Sequence, residues 1–134
     1  MKIDTMADFL QAFNLTIGNE GGYVNDSNDS GGETYCGISR KNFPNWPGWA
    51  IVDAHQLKHG NTLPELLPHV QDFYKENFWD KMNGDDLTNQ VLAANTFDYG
   101  VKDGIKTSIK STQTALGIPA TGIMDELTIQ TING

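Results

Sequence analysis

Residues 21–36 are dominated by glycine, asparagine, aspartate and serine, and they follow directly on a stretch with the spacing of an amphipathic helix. That junction constrains the fold more than any other feature of the chain. The helical stretch sets Met6, Phe9, Leu10, Phe13 and Ile17 at the i, i+3, i+4, i+7 intervals of one apolar stripe. Asp4 or Thr5 stands where a cap is needed. Gly18 lies near the end of the pattern and Gly21-Gly22 stop it, since glycine disfavours helix interiors and takes left-handed terminal geometry without steric cost. The polar stretch beyond is turn chemistry, with Tyr23-Val24 and Thr34-Tyr35-Cys36 as short strands of an irregular hairpin. One carboxyl group, Glu20, falls at the junction itself.

The remainder reads as helices joined by short connections. Residues 38–42 suit a short helix capped by Ser39, and 43–50 form an aromatic connector that two prolines keep from being helical. A second helical pattern covers 50–59. A third starts at Thr62-Leu63-Pro64, with Pro64 in its first turn and a stripe of Leu66, Leu67, Val70, Phe73, Tyr74 and Phe78. Phe78 and Trp79 end that stripe and read as core. A fourth helix runs over about 87–99 through Val91, Leu92, Asn95 and Asp98, and a fifth from 104 or 105 to Leu116, closed by Gly117. After Pro119, residues 121–125 turn into a last short helix. The expected class is mainly α, an α+β arrangement with a small β-hairpin.

The chain has 134 residues, 38% hydrophobic and 19% charged, which suits one folded domain or one domain with a small appendage. A single cysteine, Cys36, cannot form an internal disulfide, so a disulfide-dependent scaffold is excluded and a reducing cytoplasm is compatible. Nine Lys and Arg against 17 Asp and Glu give a net charge of −8. No cationic cluster is present to bind phosphates, so nucleic acid is excluded as a partner, and an anionic membrane surface would repel the chain. No apolar run approaches membrane-spanning length and the N-terminus lacks a signal-peptide core. The expectation is therefore a monomer without membrane insertion, made in the cytoplasm and released by some other agent. No cofactor and no metal are called for. Asp26-x-Asn28-x-Ser30-Gly31 imitates the start of a calcium loop, but the twelfth position is Gly37 where a glutamate is needed. His55 and His59 are four apart without the glutamate of a zinc motif, and with His69 they read as surface residues.

By spacing alone Glu20 suits an ordinary exposed helix-terminal carboxylate as well as it suits the acid that glycoside hydrolysis would need. That reaction needs a carboxylic acid protonated near neutral pH and a second group to manage water or the developing cation. A carboxyl at a helix C-terminus meets the negative end of the helix dipole, and desolvation by neighbours such as Tyr23 and Ile38 disfavours its charge further. Glu20 fits this description. The glycine-rich turns allow Asp26, Asp29 and Thr34 to come opposite it, Asp29 or Asp26 as base or electrostatic partner and Thr34 as the holder of water. Tyr23, Tyr35, Trp46 and Trp49 are candidate substrate-binding residues; the two tryptophans suit stacking on sugar rings or packing of the core equally. Asp98 reads as a satisfied structural carboxylate or, less favoured, as a support standing behind the site residues, and Cys36 as a small buried residue.

The run Glu20-Gly-Gly-Tyr-Val-Asn-Asp26, followed by Asp29-x-Gly-Gly-x-Thr34 and Gly37-Ile-Ser39, resembles glycoside hydrolase family 108, the N-acetylmuramidases of phage endolysins and related bacterial lysis proteins. The order Glu20, Asp29, Thr34 is also similar to that of phage-type lysozymes. The resemblance implies a lysozyme-like fold, a peptidoglycan glycan strand as substrate, Glu20 as the acid, and a prophage setting in which a holin or similar route releases the enzyme. A second block, Phe97-Asp-Tyr-Gly-Val101 with Gly104, then Gln113-x-x-Leu-Gly117 and Thr121-Gly-Ile123, is similar to the family's C-terminal peptidoglycan-binding region. It implies a catalytic domain over 1–94 and a binding region over 95–134. Two departures stand out. Family members usually continue past Gly134, so the binding region reads as truncated, and Glu33 and Cys36 occupy positions expected to vary. The rival functions are a lytic transglycosylase, a non-catalytic peptidoglycan-binding module, and a cysteine peptidase using Cys36.

Overall fold

The computed structural model describes residues 6–17, 22–25 and 32–134. Its main elements are α1 (Phe9–Thr16), β1 (Tyr23–Asn25), β2 (Glu33–Tyr35), β3 (Ile38–Ser39), α2 (Gly48–Ala54), α3 (Leu67–Tyr74), α4 (Gln90–Asp103), α5 (Ile105–Leu116) and α6 (Glu126–Asn133). Helix dominates and the three strands make one antiparallel sheet, as the class expected from sequence requires. Packing divides the chain into two units: the described residues up to Thr16 with Tyr74–Gly134, and Ile17–Phe73. The sequence-based boundary between 94 and 95 falls inside α4 and does not coincide with either limit of these units.

The first unit is built on α4, which packs against α1 and α5. Helix α1 begins at Phe9 because Asp8 Oδ1 accepts a hydrogen bond from Leu10 N at 2.9 Å, while the expected caps, Asp4 and Thr5, lie outside the described residues. Its buried side chains are Phe9, Ala12 and Phe13; Met6 and Leu10, assigned to the stripe, are 65% and 49% exposed. Phe9, Trp79 and Phe97 meet edge to face at 5.6–5.9 Å between centroids and centre this core. A π-helical turn over Lys75–Trp79 carries Trp79 into it, and Trp79 Nε1 donates to Asp85 at 2.9 Å. Phe78, expected in the core, is half-buried and stacks on Tyr74.

Helix α4 buries Ala93, Ala94, Thr96, Phe97 and Gly100, whereas Val91 is 68% exposed and Asn95 also faces outward. Apart from Phe97, the buried face is thus made of small residues. A Cβ on Gly100 would lie 2.4 Å from Ile105 Cδ1, so close approach of α5 depends on that glycine. Asp98 accepts from Thr16 Oγ1 at 2.8 Å and Lys102 Nζ at 3.0 Å. Burial works to raise its pKa, but these two bonds outweigh it and hold the carboxyl below its ordinary value, a satisfied structural group. Gly117, at φ 75°, closes α5 as expected, and Asp125 caps α6 by accepting from Thr128 N.

Between α5 and α6, Gln113 is fully buried and holds the 121–124 turn. Its Nε2 donates to Thr121 Oγ1, Ile123 O and Thr128 Oγ1, and its Oε1 accepts from Gly122 N at 3.0 Å. The Gln113 and Thr121-Gly-Ile123 parts of the C-terminal sequence block are therefore two halves of one hydrogen-bond network.

In the second unit, the strand order is β1-β2-β3, with Tyr23 opposite Tyr35, Val24 opposite Thr34, and Thr34 opposite Ser39. The short helix expected over 38–42 is instead strand β3. Cys36 and Gly37, at φ 47° and 80°, form a two-residue turn with both φ values positive, the geometry that joins tight hairpins. Helix α2 starts earlier than expected and ends at Ala54, where His55 turns extended. The third predicted helix begins as a 3-10 turn over Pro64–Leu66 before α3, and Leu67 is exposed. A core of Tyr35, Trp46, Trp49 and Phe73 closes the unit.

Candidate active site

The sheet sorts the candidate residues by face, because side chains alternate along each strand and directly paired residues share a face. Val24, Thr34 and Ser39 lie on one face. Tyr23, Asn25, Glu33, Tyr35 and Ile38 lie on the other. Thr34 is half-buried, and no described residue bonds its hydroxyl.

On the opposite face a polar network runs from strand to helix. Tyr23 Oη donates to Glu33 Oε2 at 2.6 Å, and Arg40 Nη1 donates to Glu33 Oε1 at 3.1 Å. Arg40 also makes a two-pronged pair with Asp53 of α2, both contacts 2.7 Å, and its guanidinium lies 5.2 Å over the Trp49 ring. The bond to Glu33, aided by burial, pushes the Tyr23 phenol above its ordinary value of 10.0. Arg40 holds the Asp53 carboxyl below its ordinary 3.8, and the Asp53 and Glu33 bonds push Arg40 further up.

Sequence reasoning missed Glu33, Arg40 and Asp53. The available signal was that Arg40 is the sole arginine of the chain, and arginine is the side chain suited to forked carboxylate pairing. Gly22 is a further fixed point. A Cβ there would lie 2.0 Å from Asn61 O, and Tyr23 N donates to that same oxygen at 2.9 Å.

The aromatic candidates separate. Trp46 and Trp49 are 7% and 2% exposed and pack edge to face at 5.2 Å, so no ring face remains for a sugar; packing is the reading the structure supports. Their indole N–H groups donate to His69 O and Phe43 O. Tyr35 is likewise buried, stacked on Trp46, its hydroxyl accepting from Leu63 N at 3.0 Å. Tyr23 is half-buried, with its hydroxyl committed to Glu33. Cys36 sits in the hairpin turn. Among the described residues, no three His, Cys, Asp or Glu side chains could hold a metal ion, and no helix is long and apolar enough to cross a membrane.

Glu20, Asp26 and Asp29 lie outside the described residues, as do the expected helix stops Gly18 and Gly21. Along the chain, Glu20 falls between the end of α1 at Thr16 and the buried Gly22, and Asp26 and Asp29 fall between β1 and β2.

A mainly α chain carrying a small antiparallel sheet is the architecture of lysozyme-like glycoside hydrolases, and comparison with known proteins agrees. The sequence profile described as glycosyl hydrolase 108 matches residues 13–104, and the chain belongs to that family of peptidoglycan hydrolases. Among solved structures it is similar to SagA of Brucella abortus, with 25% identity and a TM-score of 0.63, covering 92% of this chain and 67% of that one. No curated protein matches the chain significantly.

Proposed function

We propose that the chain hydrolyses the β-1,4 bond between N-acetylmuramic acid and N-acetylglucosamine in peptidoglycan strands, with Glu20 as general acid. The observation that carries this reading is the family match, which extends through Glu20, the hairpin and Thr34. Glu20 follows the C-terminal end of α1 by four positions, and a helix C-terminus disfavours the ionised carboxylate. In the proposed reaction Glu20 protonates the departing glycosidic oxygen as the bond to the anomeric carbon breaks. A water oriented by Thr34 then adds to that carbon and gives its proton to Asp29 or Asp26, or back to the ionised Glu20 where the aspartate stabilises the cation. The hydroxyl of Thr34, which no described residue bonds, supports its part in this scheme.

The proposal extends to residues 95–134 as a region that retains the chain on the cell wall, and to synthesis in a bacterial cytoplasm followed by holin-type release in a prophage setting. Glu20→Gln should lower the release of reducing ends from purified peptidoglycan by at least about a hundredfold while leaving circular dichroism unchanged. Turnover at the wild-type rate would rule out the acid role. Mass spectrometry of the wild-type products should show hydrated reducing ends; products one water lighter would make the enzyme a lytic transglycosylase.

A further inference from the structure

A cavity of about 370 Å³ opens in the first unit, against the face of α5 and the 121–124 turn. Ile105, Ile109, Ile123 and Met124 contribute its apolar wall, and Lys81 and Lys106 line it as well. Ile123 is 64% exposed, an unusual position for a large aliphatic side chain in a well-packed turn. Lys110 joins the two lysines: a Cβ placed on Gly122 would lie 2.7 Å from Lys106 Cγ and 3.2 Å from Lys110 Cε. Gly122, at φ 79°, therefore keeps the rim bare where these lysine stems gather.

The charge pattern at this rim opposes that of the whole chain. Of the cationic side chains, Arg40, Lys75 and Lys102 are neutralised in ion pairs. Among the described residues Lys81, Lys106 and Lys110 make none. A chain of net charge −8 thus sets two lysines that no described residue pairs on the lining of one cavity, with Lys110 beside them at Gly122, a local field suited to an anion. Gln113 fixes the turn through Thr121, Gly122 and Ile123, so the rim is ordered before any ligand arrives.

We infer that this cavity binds the carboxylate end of a short peptide whose terminal residue has a small aliphatic side chain, in peptidoglycan the stem peptide attached to the glycan. The lysines take the carboxylate and the isoleucine wall takes the methyl groups. Size agrees, since the volume lies at the lower end of the range for small-ligand sites. The inference rests on peptidoglycan being the substrate, but not on Glu20. It assigns recognition of peptide to this unit, separate from cleavage of sugar.

The test uses the whole chain and the free tetrapeptide L-Ala-γ-D-Glu-diaminopimelate-D-Ala, followed by NMR titration and calorimetry. Saturable binding is expected, with amide shifts at Gly122 and Ile123. Joint replacement K81Q/K106Q should weaken it by about tenfold or more, as loss of charge-assisted hydrogen bonds implies, whereas K41Q/K58Q, changing exposed lysines elsewhere, should not. The Glu20→Gln variant should bind the peptide as wild type does, which keeps this outcome separate from failure of the catalytic proposal. Absence of saturable binding overturns the inference, as does undiminished binding by K81Q/K106Q. So does equal affinity for free N-acetylmuramic acid, which offers a carboxylate without a peptide.

Discussion

The 121–124 turn and the three-stranded sheet present the same structural problem, a short irregular segment that must hold one conformation, and they meet it with different chemistry. The turn is held from inside by a neutral amide: Gln113 is fully buried and every polar atom of its side chain is engaged. The sheet is held at its edge by charge. Arg40 joins Glu33 to Asp53, with its own side chain 35% exposed. A buried amide network loses heavily when one member is removed, because its partners cannot turn to water, and it is indifferent to salt and pH. An exposed ionic network loses little and responds to both. The molecule therefore places rigid stabilisation where the C-terminal motif lies and responsive stabilisation beside the hairpin.

The largest effect on stability expected from this contrast is that of Gln113→Leu. Gly122 N, Ile123 O and the Thr128 hydroxyl lose their Gln113 partner, which predicts a loss of about 3 kcal/mol in urea denaturation, unchanged between low and high salt. A loss below about 1 kcal/mol would erase the distinction. Gly22→Ala comes next. Its methyl group meets the backbone oxygen of Asn61, which cannot rotate away, so about 2 kcal/mol should be lost, together with the pairing of Tyr23 to residues 60 and 61.

Arg40→Lys sharpens the other side of the comparison. Lysine keeps the charge but loses the fork on Asp53 and the planar contact with Trp49, so a loss of about 1 kcal/mol or less is expected, shrinking as salt is raised. The pH dependence follows from two groups. Asp53 has a folded pKa depressed below 3.8, so its stabilisation is present above that value and disappears as pH falls through the folded pKa. Tyr23 has a folded pKa raised above 10.0, so its stabilisation is present below that value and disappears as pH rises through the folded pKa. The stability difference between Arg40→Lys and wild type should thus shrink as pH falls through the acid range, whereas the Gln113→Leu loss should keep the same size across that range.

The same contrast explains what the sequence made legible. Large side chains at helical spacing located α1, α3 and α5, and glycines marked where α5 ends. Most of the interior face of α4 escaped notice because, apart from Phe97, it consists of Ala93, Ala94, Thr96 and Gly100, which carry little hydrophobic signal, and Gly100 is where α5 comes close. The Tyr23–Glu33 bond was hidden because it joins diagonal positions of two strands, and their register depends on the connection between them. The tryptophans misled for the opposite reason: two indoles in a proline-flanked loop look like a sugar platform until burial shows both ring faces covered. Of the candidate site, Thr34 was proposed by motif, but the face of β2 it occupies was not legible, since that depends on the strand register.

The smallest expected effect concerns Cys36, which stands in the left-handed region at φ 47° followed by Gly37 at 80°. Tight hairpins of this kind favour Asn-Gly, because asparagine tolerates that conformation better than other side chains and glycine takes it freely. The Cys-Gly pair gives no such signal, which is why β3 read as part of a helix. Cys36→Asn relieves the strain while keeping the backbone bond from residue 36 to Gly22 O, so stability should rise by about 0.5 kcal/mol. Peptidoglycan hydrolysis should be unchanged, because the proposed chemistry uses no thiol. A stabilised but inactive variant would move the reacting group from Glu20 to Cys36 and make the chain a peptidase acting on the stem.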